Sequence, residues 1–574
     1  MRILLLVHSF NSLSQRLYVE LAQDGHELSV EFDIHEGVTR QAVGLFRPDV
    51  ILAPFLKRAI AASIWQQYLC LIVHPGPPGD RGPSALDWAI LRGVGQWGVT
   101  VLQATGELDA GPVWASASFP MRSARKSSLY RHEVTEGAVS AVRSALARIG
   151  AGLSPLLRAG EGSEHGWQPP LRQAQRAIDW SCDDTASVLR KIHCADGVPG
   201  VKDTLFERSF RLFDANPEKR LSGRPGLLIA RRHGAICRAT RDGAVWIGQL
   251  QPDEGTIRSF KRPATLALET LIDSLPQCDD EPIDADGLPG NSEIRYQESG
   301  AIGYLYFNFY NGALSAAQSL RLRRAYALAR HRPTRIIVLM GGEDFWCNGM
   351  HLNCIEAADS AADASWENIN QIDDLALDII NTDTHLTIAA LQGSAAAGGV
   401  FLALAADRVL ARTGIVLNPH YRNMGNLYGS EYWTYLLPRR VGADSAKTLT
   451  AGRLPVGTAQ AAALGLIDEH AGPDVAEFQA LIDARATELA ADGRFTQALT
   501  EKGTRRALDE SLCPLADYRA AELARMRMNF YGFDPSYHIA RYRLVYRTPH
   551  AWTPLHLARH RRGAPISRLE PIGA

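Results

Sequence analysis

Short apolar runs alternate with amphipathic stretches over the first 75 residues. Arg2–Val7, Leu28–Asp33, Val50–Ala53 and Leu71–Val73 have the continuous apolar pattern of buried strands, and Ser14–Gln23 has the spacing of a helix. Strands that alternate with helices in this way favour a parallel sheet with helices on both faces. In such sheets ligands bind at the carboxyl ends of the strands, so we expect functional residues there.

The pattern changes twice further along the chain. A helical stretch at Thr185–Ile192 is followed by β-like runs at Gly226–Arg231 and Ala244–Leu250. Gly150–Gln168 is rich in Gly, Ser and Glu, and Gln277–Asn291 is acidic and rich in Gly and Pro. We predict that these two stretches are linkers and that the chain has three domains, at residues 1–165, 166–280 and 290–574.

The third domain again alternates strands and helices. The predicted elements are the strands Ile302–Phe307, Arg335–Met340 and Thr387–Leu391, the helix Ser315–Ala329 and a helix that starts at Gly398. The last stretch, Pro514–Arg562, is rich in Arg, Tyr and His and is predicted to be helical. It could serve as a packing arm or close an active site.

Composition narrows the class of protein. A chain of 574 residues is too long for one core, and 46% hydrophobic with 21% charged residues is ordinary for a soluble protein. A net charge of −1 gives no general attraction for nucleic acid or for an anionic membrane, and we predict neither partner. No stretch is apolar over a length that spans a bilayer, and the eight cysteines form no C-x-x-C pair. We expect a cytoplasmic protein without a metal site.

A first candidate site follows the strand Leu71–Val73, where His74 stands at the strand end. The motif residues are His74-Pro75-Gly76, Asp80-Arg81-Gly82-Pro83 and Leu108-Asp109-Ala110-Gly111. This pattern resembles folate-dependent formyltransferases, and the stretch at residues 166–280 resembles the small barrel that follows their catalytic domain. Formyl transfer requires stabilisation of an oxyanion and movement of a proton. The resemblance implies that His74 and Asp109 perform these tasks.

One position departs from the formyltransferase pattern. The family has an asparagine two residues before the catalytic histidine, whereas this chain has Ile72. Loss of an oxyanion donor typically costs about 100- to 1000-fold in rate. A thiol nucleophile is intrinsically better than an amine, so a weaker site would suffice for it. The competing interpretation makes His74 a structural histidine in a turn and Asp109 a loop cap.

A second candidate site lies in the third domain. Ala389 to Gly399 aligns without gaps to the strand, turn and helix of the crotonases, the enoyl-CoA hydratase/isomerase family, and Phe345 to Asn353 resembles their preceding loop. Crotonases polarise a thioester carbonyl with two backbone N–H groups, one of them at a helix N-terminus. The resemblance assigns these groups to Met350 and Gly398.

The same alignment shows that the catalytic glutamates of hydratases are missing. Phe401 and Tyr421 occupy their positions, while Glu431 stands where most crotonases have glycine. Simple hydration of an enoyl thioester is therefore not expected. We predict that Tyr421 and Glu431 form a relocated acid–base pair. The alternative is that Tyr421 packs in the core and that Glu431 is a solvated loop residue.

A formyl-donor site and an acyl-CoA site in one chain point to formyl-CoA as a shared intermediate. The combination resembles a family of hydrogenase maturation proteins over essentially the whole chain. The resemblance implies a doubly wound α/β formyltransferase domain, a small β-barrel-like domain and a crotonase-fold α/β domain with a helical C-terminal arm. It also implies a bifunctional formyltransferase and formyl-CoA decarbonylase, a lyase, which makes carbon monoxide for the nickel–iron hydrogenase centre.

The implied small molecules are formyl-tetrahydrofolate as formyl donor and coenzyme A as carrier. Other nickel–iron hydrogenase maturation proteins are the implied partners. From position in the two halves we predict that coenzyme A contacts Gln15, Arg131, Asn311 and Arg547. Two alternatives stay open: a formyltransferase that acts on an amine, with the crotonase half as a platform, and a non-catalytic scaffold.

Overall fold

The computed structural model describes residues 1–157, 166–255, 258–278 and 292–562. Most of the linker predicted at Gly150–Gln168 lies within the described residues, but its central part, 158–165, lies outside them. The linker predicted at Gln277–Asn291 lies almost wholly outside the described residues. The chain divides into two compact units. Unit 1 comprises residues 1–123 and 129–171 and the C-terminal residues from 549, and unit 2 comprises residues 124–128 and 172–548.

Unit 1 is built on a six-stranded sheet with the order β2-β1-β3-β4-β5-β6. Its strands are β1 (Arg2–Val7), β2 (Glu27–Phe32), β3 (Val50–Phe55), β4 (Cys70–His74), β5 (Gln96–Gln103) and β6 (Val113–Pro120). The first four strands are parallel, as predicted, and are buried because helices cover them. The last two strands run antiparallel to their neighbours and form one edge of the sheet, which the sequence pattern did not predict.

The helices of the first 150 residues connect these strands. They are α1 (Ser12–Gln23), α2 (Glu36–Phe46), α3 (Ala62–Trp65), α4 (Ala85–Arg92), α5 (Lys126–Leu129) and α6 (Thr135–Gly150). Asn11 caps α1 because its side chain accepts a hydrogen bond from the Ser14 amide at 3.0 Å. A single π-helical turn, Tyr130–Val134, precedes α6 and contains Arg131. Such turns are rare and are found frequently at functional sites.

The predicted helical arm, Pro514–Arg562, is helical only in its first part. From Pro549 the chain belongs to unit 1, where its residues bind to the buried Glu31 of β2. His560 Nε2 and Arg561 Nη2 each lie 2.8 Å from one Glu31 carboxylate oxygen, and the Thr553 hydroxyl donates to the other. This part of the arm is therefore anchored by side chains rather than by helix packing.

In unit 2, the region predicted as the small second domain forms a six-stranded antiparallel sheet with the order β7-β8-β11-β10-β9, to which β12 pairs at β11. Its elements in chain order are α7 (Thr185–Ala195), β7 (Val201–Leu205), β8 (Arg208–Glu218), β9 (Leu228–Arg232), β10 (Ala235–Ala239), β11 (Ala244–Pro252), β12 (Arg262–Pro263) and α8 (Ala264–Leu268). The predicted helix and β runs of this region correspond to α7, β9 and β11.

The third domain contains two sheets. The larger one has the order β13-β14-β15-β17-β19-β22, and the smaller one has the order β16-β18-β20-β21. The strands are β13 (Ile294–Ser299), β14 (Ile302–Phe307), β15 (Ile336–Leu339), β16 (Phe345–Cys347), β17 (Leu386–Leu391), β18 (Ser394–Ala396), β19 (Arg408–Arg412), β20 (Val416–Asn418), β21 (Val456–Gly457) and β22 (Glu469–Ala471). Pairing is parallel except at β13 and at β21.

Eleven α-helices belong to the described residues of this region. They are α9 (Ala316–Arg330), α10 (Leu352–Ala357), α11 (Ala361–Ile380), α12 (Gly398–Leu404), α13 (Trp433–Val441), α14 (Ala443–Gly452), α15 (Thr458–Ala463), α16 (Val475–Ala491), α17 (Phe495–Leu512), α18 (Leu515–Tyr531) and α19 (Ser536–Val545). Of these, α9 and α16 pack against several strands of the larger sheet. The main core includes Ile369 of α11, Phe401 of α12 and Met526 of α18. These three helices carry the surroundings of the second site.

In the part of the chain that the structure describes, no helix combines the length and the apolar character needed to cross a bilayer.

Candidate functional site

His74 is the last residue of β4, and its imidazole lies between two carboxylates. Nε2 is 2.8 Å from Asp80 Oδ2 and Nδ1 is 3.6 Å from Asp109 Oδ2. His74 and Asp80 are buried, and the Asp109 side chain is about one-tenth exposed. The Gly82 amide donates to Asp109 Oδ2 at 3.1 Å. The structure therefore brings the two sequence-predicted residues together and adds a third, Asp80.

The turn after His74 is held in place by hydrogen bonds to its backbone. Trp97 Nε1 donates to Pro75 O at 2.9 Å, and Thr100 Oγ1 donates to Gly76 O at 2.8 Å. A Cβ atom at Gly76 would lie 2.6 Å from His74 Nε2, which a side chain could not tolerate. Glycine is therefore required for the histidine to reach Asp80.

This arrangement suits proton transfer. A carboxylate on one imidazole nitrogen fixes the tautomer and stabilises the imidazolium that forms when the ring takes a proton. Asp80 belongs to the Asp80-Arg81-Gly82-Pro83 motif of the sequence. The spacing of six residues between His74 and Asp80 does not by itself predict a contact between their side chains. Ile72 lies in β4 and pairs with Ala53 of β3 and Leu102 of β5. Its side chain has no hydrogen-bond donor, so it cannot replace the asparagine of the formyltransferase pattern.

The second site lies where α12 begins. Gly398 is the first residue of that helix, so its N–H has no intrahelical acceptor. Met350 follows β16 and forms an isolated parallel β-bridge with Leu314. The hydrogen bonds of this bridge run from the Leu314 amide to Gly349 O and from the His351 amide to Leu314 O, so the Met350 amide takes no part in them. A Cβ built on Gly349, beside Met350, would lie 3.3 Å from Gly398 N. The two predicted donors are thus close neighbours.

Glu431 is 1% exposed and its carboxyl group lies directly against Gly398. A Cβ atom added to Gly398 would overlap Oε1 of Glu431 and would lie 3.1 Å from Oε2, so Oε1 is the oxygen nearer to Gly398. Oε2 accepts the hydroxyl of Tyr421 and, at 3.3 Å, the N–H of Ser430. Oε1 is consequently the oxygen available to carry a proton, and it faces the predicted oxyanion hole. The interpretation of Glu431 as a solvated loop residue is excluded by this burial.

The surroundings of Glu431 favour its protonated form. Burial, followed by the charge of Asp373, raises the pKa of Glu431 to about 8. Burial also raises the pKa of Tyr421 well above its usual range, with the Glu431 carboxylate as the next cause. At neutral pH Glu431 is therefore a carboxylic acid and Tyr421 a neutral hydroxyl donor. An acid with a pKa near the working pH suits general acid–base catalysis.

Two other side chains near this site are structural. Burial raises the pKa of the Cys347 thiol to about 12, so that the thiolate is not populated at neutral pH. Burial lowers the pKa of His351 to about 4, and its Nδ1 accepts the Cys354 amide at 3.1 Å as the cap of α10. Neither group has the ionisation state of a nucleophile or a cationic ligand.

The four predicted coenzyme contacts are divided between the units. Gln15, in α1, and Arg131, in the π-helical turn, belong to unit 1. Asn311 and Arg547 belong to unit 2, and both have left-handed backbone, with φ of 56° and 50°. Asn311 and Arg547 are exposed and Gln15 and Arg131 are half-buried.

Arg547 joins a hydrogen-bond network within unit 2 that includes Tyr310, the residue before Asn311. Gly197 O accepts Arg547 Nη1 at 3.1 Å and Lys261 Nζ at 3.4 Å, and Lys261 also donates to the Tyr310 hydroxyl at 2.8 Å. Tyr310 is the neighbour of Asn311 in the chain. The backbone that presents Asn311 and the guanidinium of Arg547 are therefore fixed by shared partners.

Comparison with known proteins assigns families to these sites. Residues 33–146 match the family described as Formyl transferase, residues 170–264 match Formyl transferase, C-terminal domain, and residues 304–526 match Enoyl-CoA hydratase/isomerase. Methionyl-tRNA formyltransferase from Aromatoleum aromaticum is 24% identical over 216 residues, which cover 37% of this chain and 67% of that protein. The formyltransferase and crotonase resemblances are thereby confirmed.

Two further relatives extend over the whole chain. Hydrogenase maturation factor HoxX from Bradyrhizobium diazoefficiens is 53% identical over 566 residues, 98% of this chain and 97% of that protein. The crystal structure of HypX from Aquifex aeolicus in complex with tetrahydrofolic acid has 48% sequence identity and a TM-score of 0.95. The match covers 98% of this chain and 99% of that one.

Proposed function

This chain belongs to the HoxX/HypX family of hydrogenase maturation factors, and we propose that it makes carbon monoxide for the nickel–iron hydrogenase active site. In this proposal the formyl group passes from formyl-tetrahydrofolate to coenzyme A in the formyltransferase domain. The crotonase domain then splits formyl-CoA into carbon monoxide and coenzyme A. The receiver of the gas is another maturation protein of the same hydrogenase.

His74 is the proton carrier of the first step. It takes the proton of the coenzyme A thiol as sulfur attacks the formyl carbon, and it returns a proton to the folate nitrogen as the carbon–nitrogen bond breaks. Asp80 and Asp109 hold the imidazole on both sides and stabilise its charged form, which is supported by the distances of 2.8 and 3.6 Å. A good thiol nucleophile lowers the demand for the oxyanion donor that Ile72 lacks.

Glu431 is the acid and the base of the second step. The Met350 and Gly398 amides donate hydrogen bonds to the formyl oxygen, which places the reacting carbon and sulfur beside Glu431. Glu431 gives its proton to sulfur as the carbon–sulfur bond breaks. Its carboxylate then takes the formyl proton, and the carbon leaves as carbon monoxide. One proton leaves Glu431 and one returns, so the step is balanced without a further reactant.

Tyr421 orients Glu431 in this proposal. Its hydroxyl binds Oε2, so that the proton stays on Oε1, the oxygen that faces Gly398. Within unit 1, Gln15 and Arg131 are the proposed coenzyme A contacts, and within unit 2 they are Asn311 and Arg547. Arginine and amide side chains suit the phosphates and the amide groups of this molecule.

The observation that carries the proposal is the contact of the buried Glu431 carboxyl group with Gly398 at the helix N-terminus. The test supplies the purified protein with formyl-tetrahydrofolate and coenzyme A and traps carbon monoxide with reduced myoglobin. Carbon monoxide that depends on both compounds is expected. A parallel reaction with supplied formyl-CoA isolates the second step.

The outcomes separate this function from the alternatives. Formyl transfer to an amine without carbon monoxide would support an amine formyltransferase with a crotonase platform. Absence of both reactions would support a scaffold. Either result would overturn the proposal.

A further inference from the structure

Two buried acids, Asp373 of α11 and Glu522 of α18, bind the turn that carries Glu431. Asp373 accepts the Ser430 hydroxyl and the Glu431 amide, each at 2.8 Å. Glu522 accepts the Tyr432 amide at 3.0 Å and the Thr434 amide at 2.8 Å. Neither acid is exposed to solvent.

The backbone of this turn needs support. Glu431 and Tyr432 have φ of 59° and 58°, a left-handed conformation that residues with a Cβ adopt reluctantly. Asp373 holds the amide of the first and Glu522 the amide of the second, so each strained residue is fixed by one acid from a different helix. Since this conformation directs the Glu431 side chain toward Gly398, the two acids determine where the carboxyl group lies.

The charges around Glu431 are unbalanced. The groups that face it are Asp373 of α11, Glu522 of α18, Cys347 of β16 and Tyr421 of its own loop, and Arg519 of α18 lies behind Asp373. Arg519 is the cation of this set, and its Nε lies 3.8 Å from Asp373 Oδ2. Three buried carboxyl groups near one arginine cannot all be ionised, because like charges in a poorly solvated site repel strongly.

The hydrogen bonds decide which carboxyl group keeps a proton. Asp373 and Glu522 accept two or more N–H and O–H groups each, and an ionised carboxylate is favoured by such donors. Glu522 also caps the N-terminus of α13, where the helix dipole favours a negative charge. The Oε1 atom of Glu431 points toward the site, so Glu431 is the carboxyl group that keeps the proton.

We propose that Asp373 and Glu522 are positioning residues for the acid–base group Glu431: they fix the Ser430–Tyr432 turn and their negative charge keeps a proton on Oε1. The proposal rests on the proposed function, since it concerns the step that Glu431 performs. It explains why a crotonase-fold site that replaces a glycine with Glu431 also holds two further acids behind it.

The first test compares Asp373→Asn with the matched control Asp378→Asn. Asp378 lies on the same helix and pairs with Arg323 at 2.6 Å, away from the turn. Carbon monoxide release from supplied formyl-CoA is measured against pH. Wild type and control should lose activity as pH rises through about 8, the pKa of Glu431. Asp373→Asn removes one negative charge, which lowers the pKa of Glu431. The alkaline limb of its pH–activity curve, where activity is lost as pH rises, should therefore lie about one to three pH units lower, with the KM for formyl-CoA little changed.

An unchanged alkaline limb in folded Asp373→Asn would overturn the proposal. If Glu431→Gln still releases carbon monoxide from formyl-CoA, the proposed function fails, whatever Asp373 does. If Glu431→Gln is inactive but the limb of Asp373→Asn stays in place, only the present inference fails. The two failures are therefore distinguishable.

A second measurement does not depend on the folding of an Asp373 variant. Infrared difference spectra of the wild-type protein between neutral and alkaline pH should show a protonated carboxyl stretch that disappears as pH rises. The component of that band that titrates through about pH 8 should be absent from Glu431→Gln and retained in Asp378→Asn, whereas the carboxyl group of Glu522, whose pKa is raised by burial to about 7, titrates earlier in both variants. Absence of the band from the wild-type protein at neutral pH would contradict a proton held on Glu431.

Glu522→Gln tests the geometric part of the proposal. In the structure Oε2 of Glu522 accepts the Tyr432 amide and Oε1 accepts the Thr434 amide, so in a glutamine the NH₂ group would replace one of these oxygens and oppose an N–H donor. The expected result is a loss of kcat of about tenfold or more with an intact folate-dependent step in the other unit. A wild-type kcat in this variant would show that Glu522 does not position Glu431.

Discussion

The ring of Tyr421 stacks on the ring of Phe401, with centroids 5.1 Å apart and planes inclined by 20°. The sequence alignment predicts that these two residues occupy the positions at which hydratases of the crotonase family carry their water-activating glutamates. In this chain an apolar, fully buried phenylalanine and a tyrosine committed to Glu431 fill that space. The site therefore lacks the paired carboxylates that hold and deprotonate a water molecule.

We accordingly expect no hydration of crotonyl-CoA by the purified protein. The measurement follows the ultraviolet absorbance of the enoyl thioester, with an authentic enoyl-CoA hydratase as positive control. Efficient hydration would mean that the alignment through Phe401 and Tyr421 is wrong. Slow turnover that survives in Glu431→Gln would indicate a contaminating enzyme.

Replacement of Glu431 by glutamine should block the second step alone. Carbon monoxide release should fall by at least about 100-fold, because glutamine keeps the shape but has no transferable proton. Formyl-CoA should accumulate when formyl-tetrahydrofolate and coenzyme A are supplied. The surface variant Glu469→Gln, whose native partner is Arg485, serves as the control and should keep full activity.

His74→Ala and Asp109→Asn should remove the first step. We expect formation of formyl-CoA to fall by about 100-fold or more, since a lost general base commonly costs that much. Both variants should still release carbon monoxide from supplied formyl-CoA, which shows that the chain is folded. Glu107→Gln is a matched control in the same loop, because its side chain is 73% exposed. Full activity of Asp109→Asn would refute its assigned role.

Asp80→Asn should weaken formyl transfer although no motif assigned a role to Asp80. Asparagine at this position can donate to His74 Nε2 and thereby favour the wrong tautomer, as in a hydrolase triad whose aspartate is replaced. A loss of about tenfold or more in the formation of formyl-CoA is expected, with carbon monoxide release from formyl-CoA unaffected. If formyl transfer is unchanged, the contact of 2.8 Å is structural only.

The sequence predicts candidate reactive groups for both sites, and the structure adds the groups that bind to them. His74 and Asp109 were recognisable because their motifs are short and local. Asp373 lies 58 positions from Glu431 and Glu522 lies 90 positions from Tyr432, the residues whose amides they bind, and no local pattern connects them. Such contacts arise when separate helices pack together. The periodicity of a single sequence predicts each helix but not which residues of distant helices meet.

Backbone conformation was the second unpredictable feature. Asp109, Asn311, Glu431 and Arg547 all have positive φ. Residues other than glycine and asparagine rarely adopt this conformation, so the sequence does not indicate where it occurs. It is found where neighbouring groups enforce it. The same applies to the edge of the first sheet: apolar runs predicted its buried parallel strands, whereas β5 and β6 reverse direction through pairing that the runs do not specify.

The raised pKa of Glu431 also predicts how stability changes with pH. Between its ordinary value of 4.5 and about 8, the folded protein keeps a proton that the unfolded chain has released. The folded state then binds more protons than the unfolded state, so the stability conferred by this group falls as pH rises, by about 1.4 kcal/mol for each pH unit in that interval. Glutamine does not titrate. The melting temperature of Glu431→Gln relative to wild type should therefore rise between about pH 6 and about pH 9, while that of Glu469→Gln should not. A difference that stays constant over this range would mean that Glu431 is ionised in the folded protein throughout, and that it is not the acid of the second step.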